Sequence, residues 1–361
     1  MFIDRIKVKN FRNLVEQEIS FCDEVNILTG VNAQGKTNVI EAIWLFSACK
    51  SFRTNNEKDF IQNDCDQTGI DLFFQKDNRK QIAQIRYYEK RRRELLLNNI
   101  KVKPSELIGN IVSVLFFPEH LNLVKEGPEI RRKFIDIAIC QIKPVYFSLL
   151  VNYNKVLFQR NSVLKNQTKE MNKTLEIWDD KLITLGTSIY MIRKEYIKEI
   201  NKYSSFVIDE MTGGKESLYI QYKTMYLDSN DKEKIQADMK QVLLRNRKND
   251  FRLGYTTQGI HKDDLLFYLN DNPAKSFGSQ GQQRSIVLAL KLAEAEILKN
   301  IYDEYPVLLF DDVFSELDKN RKNYIVEKIK NKQVIITSCE KVKEFKNANI
   351  FEITAGKVNQ L

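Results

Sequence analysis

Residues Gly30-Val31-Asn32-Ala33-Gln34-Gly35-Lys36-Thr37 carry the spacing G-x-x-x-x-G-K-[ST] of a phosphate-binding loop. Glycine lets the backbone curl until successive N–H groups point inward at phosphate oxygens. Lys36 supplies a point charge to the β- and γ-phosphates, and the Thr37 hydroxyl is placed to ligate Mg²⁺. Asn38 follows directly and is counted with the nucleotide set. Such a loop needs an acidic partner for the metal, and Val307-Leu308-Leu309-Phe310-Asp311-Asp312 provides an apolar strand ending in two aspartates. Asp311 is expected to accept a hydrogen bond from a Mg²⁺-bound water. Asp312, one residue on, is placed to polarise an attacking water. Lys36 and Asp312 are therefore the catalytic candidates, Thr37 and Asp311 the metal residues, and ATP with Mg²⁺ the implied cofactors.

These groups need rigid elements behind them. Val25-Asn26-Ile27-Leu28 reads as a short buried strand, and Val39, Ile40, Ile43, Trp44 and Ala48 fall at helical spacing after the loop. Lys36 and Asp311 stand 275 residues apart, so a domain that unites them carries a long insertion. The pattern turns helical after Pro118 and returns to strand near Leu265. The expected division is residues 1–118 together with 256–361 as an ATP-binding lobe, and 119–255 as a mainly helical second lobe. Inside the insertion, Tyr146–Leu164 and Leu175–Tyr203 predict an antiparallel helical pair joined over 165–174, with a loop from Met211 to Lys215. Residues 2–9 alternate as an outer strand would. Residues 70–103 predict a β-meander with basic turns at Lys76–Lys80 and Lys90–Arg93 and a last strand Glu94–Val102. The run Gly281–Asn300 is apolar nearly all round and predicts a buried helix.

Composition narrows the class. The 361 residues suffice for about two domains. No run approaches a membrane span, and the amino terminus lacks an apolar secretory stretch, so a cytoplasmic protein is expected. Five scattered cysteines and two histidines argue against a disulfide framework and a zinc site. The 57 Lys/Arg against 48 Asp/Glu give +9, which suits a polyanionic partner. Residues 119–255 hold 24 of the bases against 18 acids, so most of the excess is in the insertion. Arg91, Arg92 and Arg93 at the second meander turn are candidate DNA contacts, and Arg131 and Arg132 early in the insertion could face DNA or carboxylates.

Two further motifs resemble those of ABC-type ATPases. Ser279-Gln280-Gly281-Gln282 opens the buried helix, where Ser279, Gly281 and Gln282 match the signature that binds anion at a helix amino terminus. Ser315-Glu316-Leu317-Asp318 matches the D-loop after the acidic strand. In such ATPases the signature of one subunit covers the γ-phosphate held by the other. The whole chain resembles the RecF recombination-mediator family. The resemblance rests on Ile6–Asn13, Lys50-Ser51-Phe52-Arg53-Thr54, Phe117–Leu121, Gly127-Pro128 with Arg131–Asp136, and Gly259-Ile260-His261-Lys262-Asp263-Asp264-Leu265. It implies an α/β fold: an ABC-type head with a mixed sheet and an antiparallel β-meander around the loop helix, plus an inserted helical lobe. It implies an ATP-dependent homodimer on double-stranded DNA, favouring gaps or single-strand junctions, and action with RecO and RecR to load RecA. Arg12 and Arg53 are assigned to nucleotide phosphates, and Asp318 to the nucleotide set.

Two departures from the wider pattern predict slow turnover. The usual catalytic glutamate is Asp312, one methylene shorter, and Thr337 and Ser338 stand where a switch histidine often follows the next strand. The alternative is an SMC- or Rad-like head that tethers DNA through long coiled coils. Arms of about 30 residues, spanning roughly 45 Å, and the lack of sustained heptads argue against it.

Overall fold

The computed structural model describes residues 1–166, 171–339, 345 and 347–361. Its first sheet is antiparallel and holds strands β1 (Phe2–Phe11), β2 (Leu14–Ser20), β4 (Gln67–Lys76), β5 (Arg79–Tyr88), β6 (Glu94–Leu97) and β7 (Ile100–Lys101), in the order β2-β1-β4-β5-β6-β7. Alternation sends Ile3, Ile6 and Val8 into the core. The expected outer strand is thus an inner one, paired on both sides. The first meander turn is tighter than predicted, the break between β5 and β6 contains Lys90–Arg93 as predicted, and a further turn interrupts the last strand. Asp77-Asn78 and Asn98-Asn99 all adopt positive φ, between 51° and 65°. That is the geometry of a two-residue hairpin turn, which Asn and Asp tolerate. The second of these turns splits the expected strand 94–102 into two.

The second sheet carries the chemistry. It contains β3 (Val25–Thr29), β8 (Ser113–Phe116), β12 (Val307–Asp311), β13 (Val334–Ser338), β14 (Asn349–Thr354) and β15 (Lys357–Gln360), in the order β15-β14-β3-β13-β12-β8. All neighbours are parallel except the edge strand β15. β8, β12 and β13 are buried at every residue, as parallel strands covered on both faces must be. Helix α1 (Lys36–Ala48) packs between the two sheets, touching β1 on one side and β8, β12 and β13 on the other. This double burial explains why it is apolar nearly all round.

The helical part follows short helix α2 (Pro104–Leu107) and comprises α3 (Pro128–Ile142), α4 (Pro144–Asn166), α5 (Met171–Thr212) and α6 (Lys232–Leu253). The two arms are unequal, 23 residues in α4 and 42 in α5. The helix runs through Met211 and Thr212, where a loop was expected. Of the predicted 165–174 connection, residues 167–170 lie outside the described residues. At 42 residues α5 is about 63 Å long. It is no free tether, because it packs on α4, α6, strand β9 (Leu218–Lys223) and helix α8 (Gln280–Tyr302). β9 is numbered within the insertion, yet it pairs with β10 (Asp264–Leu269), which pairs in turn with β11 (Asn272–Pro273) ahead of α7 (Ala274–Phe277).

The His261-Lys262-Asp263-Asp264 run is the fastening between these parts. His261 Nδ1 meets Tyr153 Oη of α4 at 2.9 Å, and Asp263 accepts from Tyr222 of β9 at 2.5 Å. Asp264 takes a two-pronged pair from Arg131 of α3 at 2.7 and 3.0 Å. Burial pushes His261 down to about 4 and Asp263 up to about 6. A motif noticed for its resemblance thus has a structural task, holding helices to the sheet that leads into α7 and α8.

Candidate functional site

The site forms where β3, β13 and β12 end side by side. The chain leaves β3 at Thr29 and enters the loop at Gly30, whose φ is 145°. A Cβ there would collide with the Ile353 carbonyl of β14, so only glycine fits. Gly35, φ 116°, caps α1, and a Cβ on it would press on the Asn13 amide at 2.7 Å. Val31, Asn32 and Ala33 are exposed at the loop crest, and Ala33 itself takes φ 64°. Asn13 holds the loop from below: its amide donates to the Gln34 carbonyl at 3.0 Å and accepts from Asn38 at 2.7 Å.

Lys36 is buried and turns its ammonium back along the loop, donating to the carbonyls of Gly30 and Val31 and to Cys339 Sγ at 3.3 Å. Thr37 Oγ1 donates to Asp311 Oδ1 at 2.9 Å, across 274 residues of sequence. A hydroxyl and a carboxylate this close form half of an oxygen-ligand set for a hard cation that takes its other ligands from phosphates and water. Among the described residues no group of three or more His, Cys, Asp or Glu could hold a metal unaided. The amino terminus of α1 has no side-chain cap and no acid in its first turn. Free N–H groups with an uncompensated dipole end fit an anion there. The residues present fit a nucleotide phosphate with its cation.

Asp311 ends β12, and partial burial raises its carboxyl, opposed by hydrogen bonds from Thr337 and Thr37. Asp312 steps off the strand in the left-handed region, φ 52°. Burial raises its carboxyl as well, with Lys36 acting the other way. Thr337 ties the two together. Its hydroxyl donates to Asp311 Oδ1 at 2.8 Å and accepts the Asp312 N–H at 2.9 Å. Thr337 replaces the absent histidine with a group that orients rather than shuttles protons. Cys339 stands closer to the loop, with Sγ 2.7 Å from Asn32 Oδ1.

Arg12 and Arg53 converge on one acid that the sequence reading passed over. Glu41 of α1 is fully buried and receives both prongs of Arg12, one of them at 2.8 Å. Ser51 donates to it at 2.5 Å, and Arg53 reaches it at 3.4 Å while donating to Asn38 at 2.7 Å. The Lys50–Thr54 motif therefore works by threading Ser51 and Arg53 onto α1 beside the loop. A lone acid on an otherwise apolar helix was the available sign.

The signature lies elsewhere. Ser279 caps α8 by accepting from Gln282 N at 3.2 Å, and Gln282 Oε1 in turn accepts from the Ser279 N–H at 2.8 Å. Gln282 also donates to Glu216 at 2.8 Å, and the Gly281 carbonyl accepts from Arg321 at 2.7 Å. Arg321 pairs with Asp318, which caps α9 (Lys319–Lys328). Signature and D-loop are thus one assembly. Among the described residues no hydrogen bond joins Ser279, Gly281 or Gln282 to residues 30–38.

The candidate DNA contacts separate. Arg131 is buried, with its guanidinium committed to Asp264 and the Leu123 and Glu126 carbonyls, so it faces carboxylate rather than phosphate. Arg93 is half-buried against Glu57 at 2.8 Å and the Cys49 carbonyl at 2.9 Å. Arg132 is half-buried and donates to the Asp263 carbonyl at 2.6 Å. Arg91, stacked on Tyr88 at 3.5 Å, and Arg92 remain exposed.

Comparison with known proteins matches this geometry. A family model described as RecF/RecN/SMC N terminal domain matches residues 2–359. The DNA replication and repair protein RecF of Clostridium perfringens strain 13 is 42% identical over 365 residues, covering 99% of both chains. That of Clostridioides difficile strain 630 is 41% identical over 366 residues, covering 99% of this chain and 98% of its own. Among solved structures, the recombination mediator protein RecF with ATPrS in the RecFOR pathway superposes with TM-score 0.95 at 34% identity, covering 100% of this chain and 98% of its own. The corresponding RecF-ATP structure gives 0.93 at 35%, covering 100% and 97%. An Smc head bound to the C-winged helix domain of ScpA shares the fold at TM-score 0.57 and 16% identity, covering 100% and 98%.

Proposed function

This chain belongs to the RecF family within the RecF/RecN/SMC group of ATPase heads, and from that membership we propose an ATP-dependent DNA-binding protein of recombinational repair and replication-fork maintenance. Two copies close head to tail, each presenting Ser279, Gly281 and Gln282 to the nucleotide on the other's residues 30–38. The closed pair clamps duplex DNA near single-strand gaps or junctions. Slow, DNA-stimulated ATP hydrolysis releases it, so the enzyme is a switch and not a metabolic catalyst. The relatives described as recombination mediators in the RecFOR pathway support action with RecO and RecR in loading RecA. No helix among the described residues is long and apolar enough to cross a membrane.

One observation carries the dimer. Among the described residues the signature bonds to its own neighbourhood, Glu216, Arg321 and the turn of α8, and Ser279 stands exposed at the amino terminus of that helix. In this reading Thr37 and Asp311 would hold Mg²⁺, whose charge would neutralise the β- and γ-phosphate oxygens. Lys36 and the loop N–H groups hold the phosphates. Asp312 orients water and takes its proton. Arg53, with 41% of its side chain exposed, reaches the nucleotide, whereas Arg12 positions the helix through Glu41.

Wild-type binding to gapped and unbroken duplex, with and without ATP, tests the function. The expected result is tighter binding with ATP and a preference for the gapped duplex. Equal affinity under all four conditions contradicts it.

Thr337 provides a finer test. Thr337→Val keeps the shape but strands the Asp312 N–H, which costs about 1–3 kcal/mol. ATP turnover is expected to fall about tenfold with KM little changed, and Thr337→Ser to restore it. Equal loss in both variants would assign the effect to packing and not to the hydroxyl.

A further inference from the structure

A concavity apart from the phosphate-binding loop lies between the end of α1 and helices α3 and α4. It encloses about 700 Å³. We propose that this cleft holds an unpaired DNA strand beside the clamped duplex. The proposal rests on the DNA-binding reading above and goes beyond it by locating the gap preference.

Charge comes first. Lys50 and Lys133 line the cleft, both are exposed, and neither makes an ion pair or hydrogen bond among the described residues. Partial burial and, after it, the charge of Lys50 pull the Lys133 ammonium below its ordinary range, with Glu129 acting the other way. Two like charges with no ion pair of their own among the described residues form a site that an anion relieves. Two of the carboxylates in the lining are committed elsewhere. Glu57 is held by Arg93 at 2.8 Å, and Asp136 takes both prongs of Arg193 at 3.0 and 2.9 Å. Among the described residues Glu129 of this lining makes no ion pair, and it offsets one of the three charges of Lys50, Lys133 and Arg132.

The shape decides which anion. Helix α4 adds Phe147, Leu150 and Val151 to the lining, all partly or fully exposed and apolar. A duplex hides its bases and offers this wall only sugar and phosphate. An unpaired nucleotide offers both phosphate for the lysines and a base face for the wall. Lys50 also precedes Ser51, which bonds Glu41 and the Arg53 N–H at 2.9 Å. The strand cleft and the nucleotide network therefore share one short segment.

The test measures fluorescence anisotropy of the full chain in Mg-ATP with three labelled DNAs: a gapped duplex, the matching unbroken duplex, and the single strand. Lys50→Glu/Lys133→Glu is expected to weaken gapped and single-stranded binding by about tenfold or more and to flatten their salt dependence. Unbroken duplex is expected to stay within about twofold. Val151→Ser should weaken single-strand binding without altering the salt slope, since it removes wall and not charge. Lys50→Gln/Lys133→Gln repeats the test without added acid, and binding of a fluorescent ATP analogue at the wild-type level certifies the fold. Equal loss on all three DNAs, or no loss on any, overturns the cleft while leaving the DNA reading intact. Wild-type protein that binds none of the three overturns both.

Discussion

Replacing Lys36 with alanine is expected to lower ATP affinity by more than about 100-fold and to abolish ATP-dependent dimerisation in the same step. The ammonium is buried at the root of the loop, where its present acceptors are the Gly30 and Val31 carbonyls and Cys339. Each is a neutral group that a phosphate outcompetes, because a charge-assisted bond is worth roughly twice a neutral one. Losing about two such bonds at 1.5–3 kcal/mol each accounts for the expected loss. The coupling matters more than its size. If the nucleotide is the only adhesive between loop and signature, binding and dimerisation must fail together. Titration of a fluorescent ATP analogue alongside sedimentation velocity measures both. A Lys36→Ala protein that still dimerises on ATP would separate the two and sink the composite site.

Asp312→Asn is expected to do the opposite. Turnover should fall by about 10²–10⁴, the range of a lost general base, while ATP stays bound. Asparagine is the suitable substitution because residue 312 takes φ 52°, a conformation that Asn tolerates nearly as well as Asp. It keeps the N–H that Thr337 accepts at 2.9 Å, so the strand end should hold its shape. It also removes a carboxylate from beside Glu316, easing like-charge repulsion near the site. The variant should accumulate as the ATP-bound pair and stay on DNA. A phosphate-release assay beside retention of nucleotide on a desalting column reads both effects. Rapid turnover in the variant would remove Asp312 from the chemistry.

How much of this was legible before folding follows the range of each interaction. The loop, the apolar strand ending in Asp311 and the capped start of α8 are local patterns, and each is found where its spacing predicted. The chemistry between them is not local. Thr337 acquires its role only when β13 settles between β3 and β12, so no motif around residue 337 announces it. Glu41 carries no motif of its own, and its role appears only when Arg12, 29 positions away, closes on it. Arg131, in a basic run, could face DNA or carboxylates from sequence alone, and Asp264, 133 positions away, decides for the carboxylate. The meander was legible in part. Both basic breaks, Lys76–Lys80 and Lys90–Arg93, fall between strands as read, but backbone handedness narrows the first to Asp77-Asn78 and adds another turn at Asn98-Asn99. Helix length escaped too, since α5 continues past its polar stretches by leaning on α8 and β9.

The central claim is that residues 30–38 are half a site completed by Ser279, Gly281 and Gln282 of a second copy. Light scattering of Asp312→Asn protein in saturating Mg-ATP measures it most directly. The account predicts twice the mass of one chain with ATP and a single-chain mass for the same protein carrying Lys36→Ala as well. A single-chain mass for Asp312→Asn with ATP demonstrably bound would contradict it.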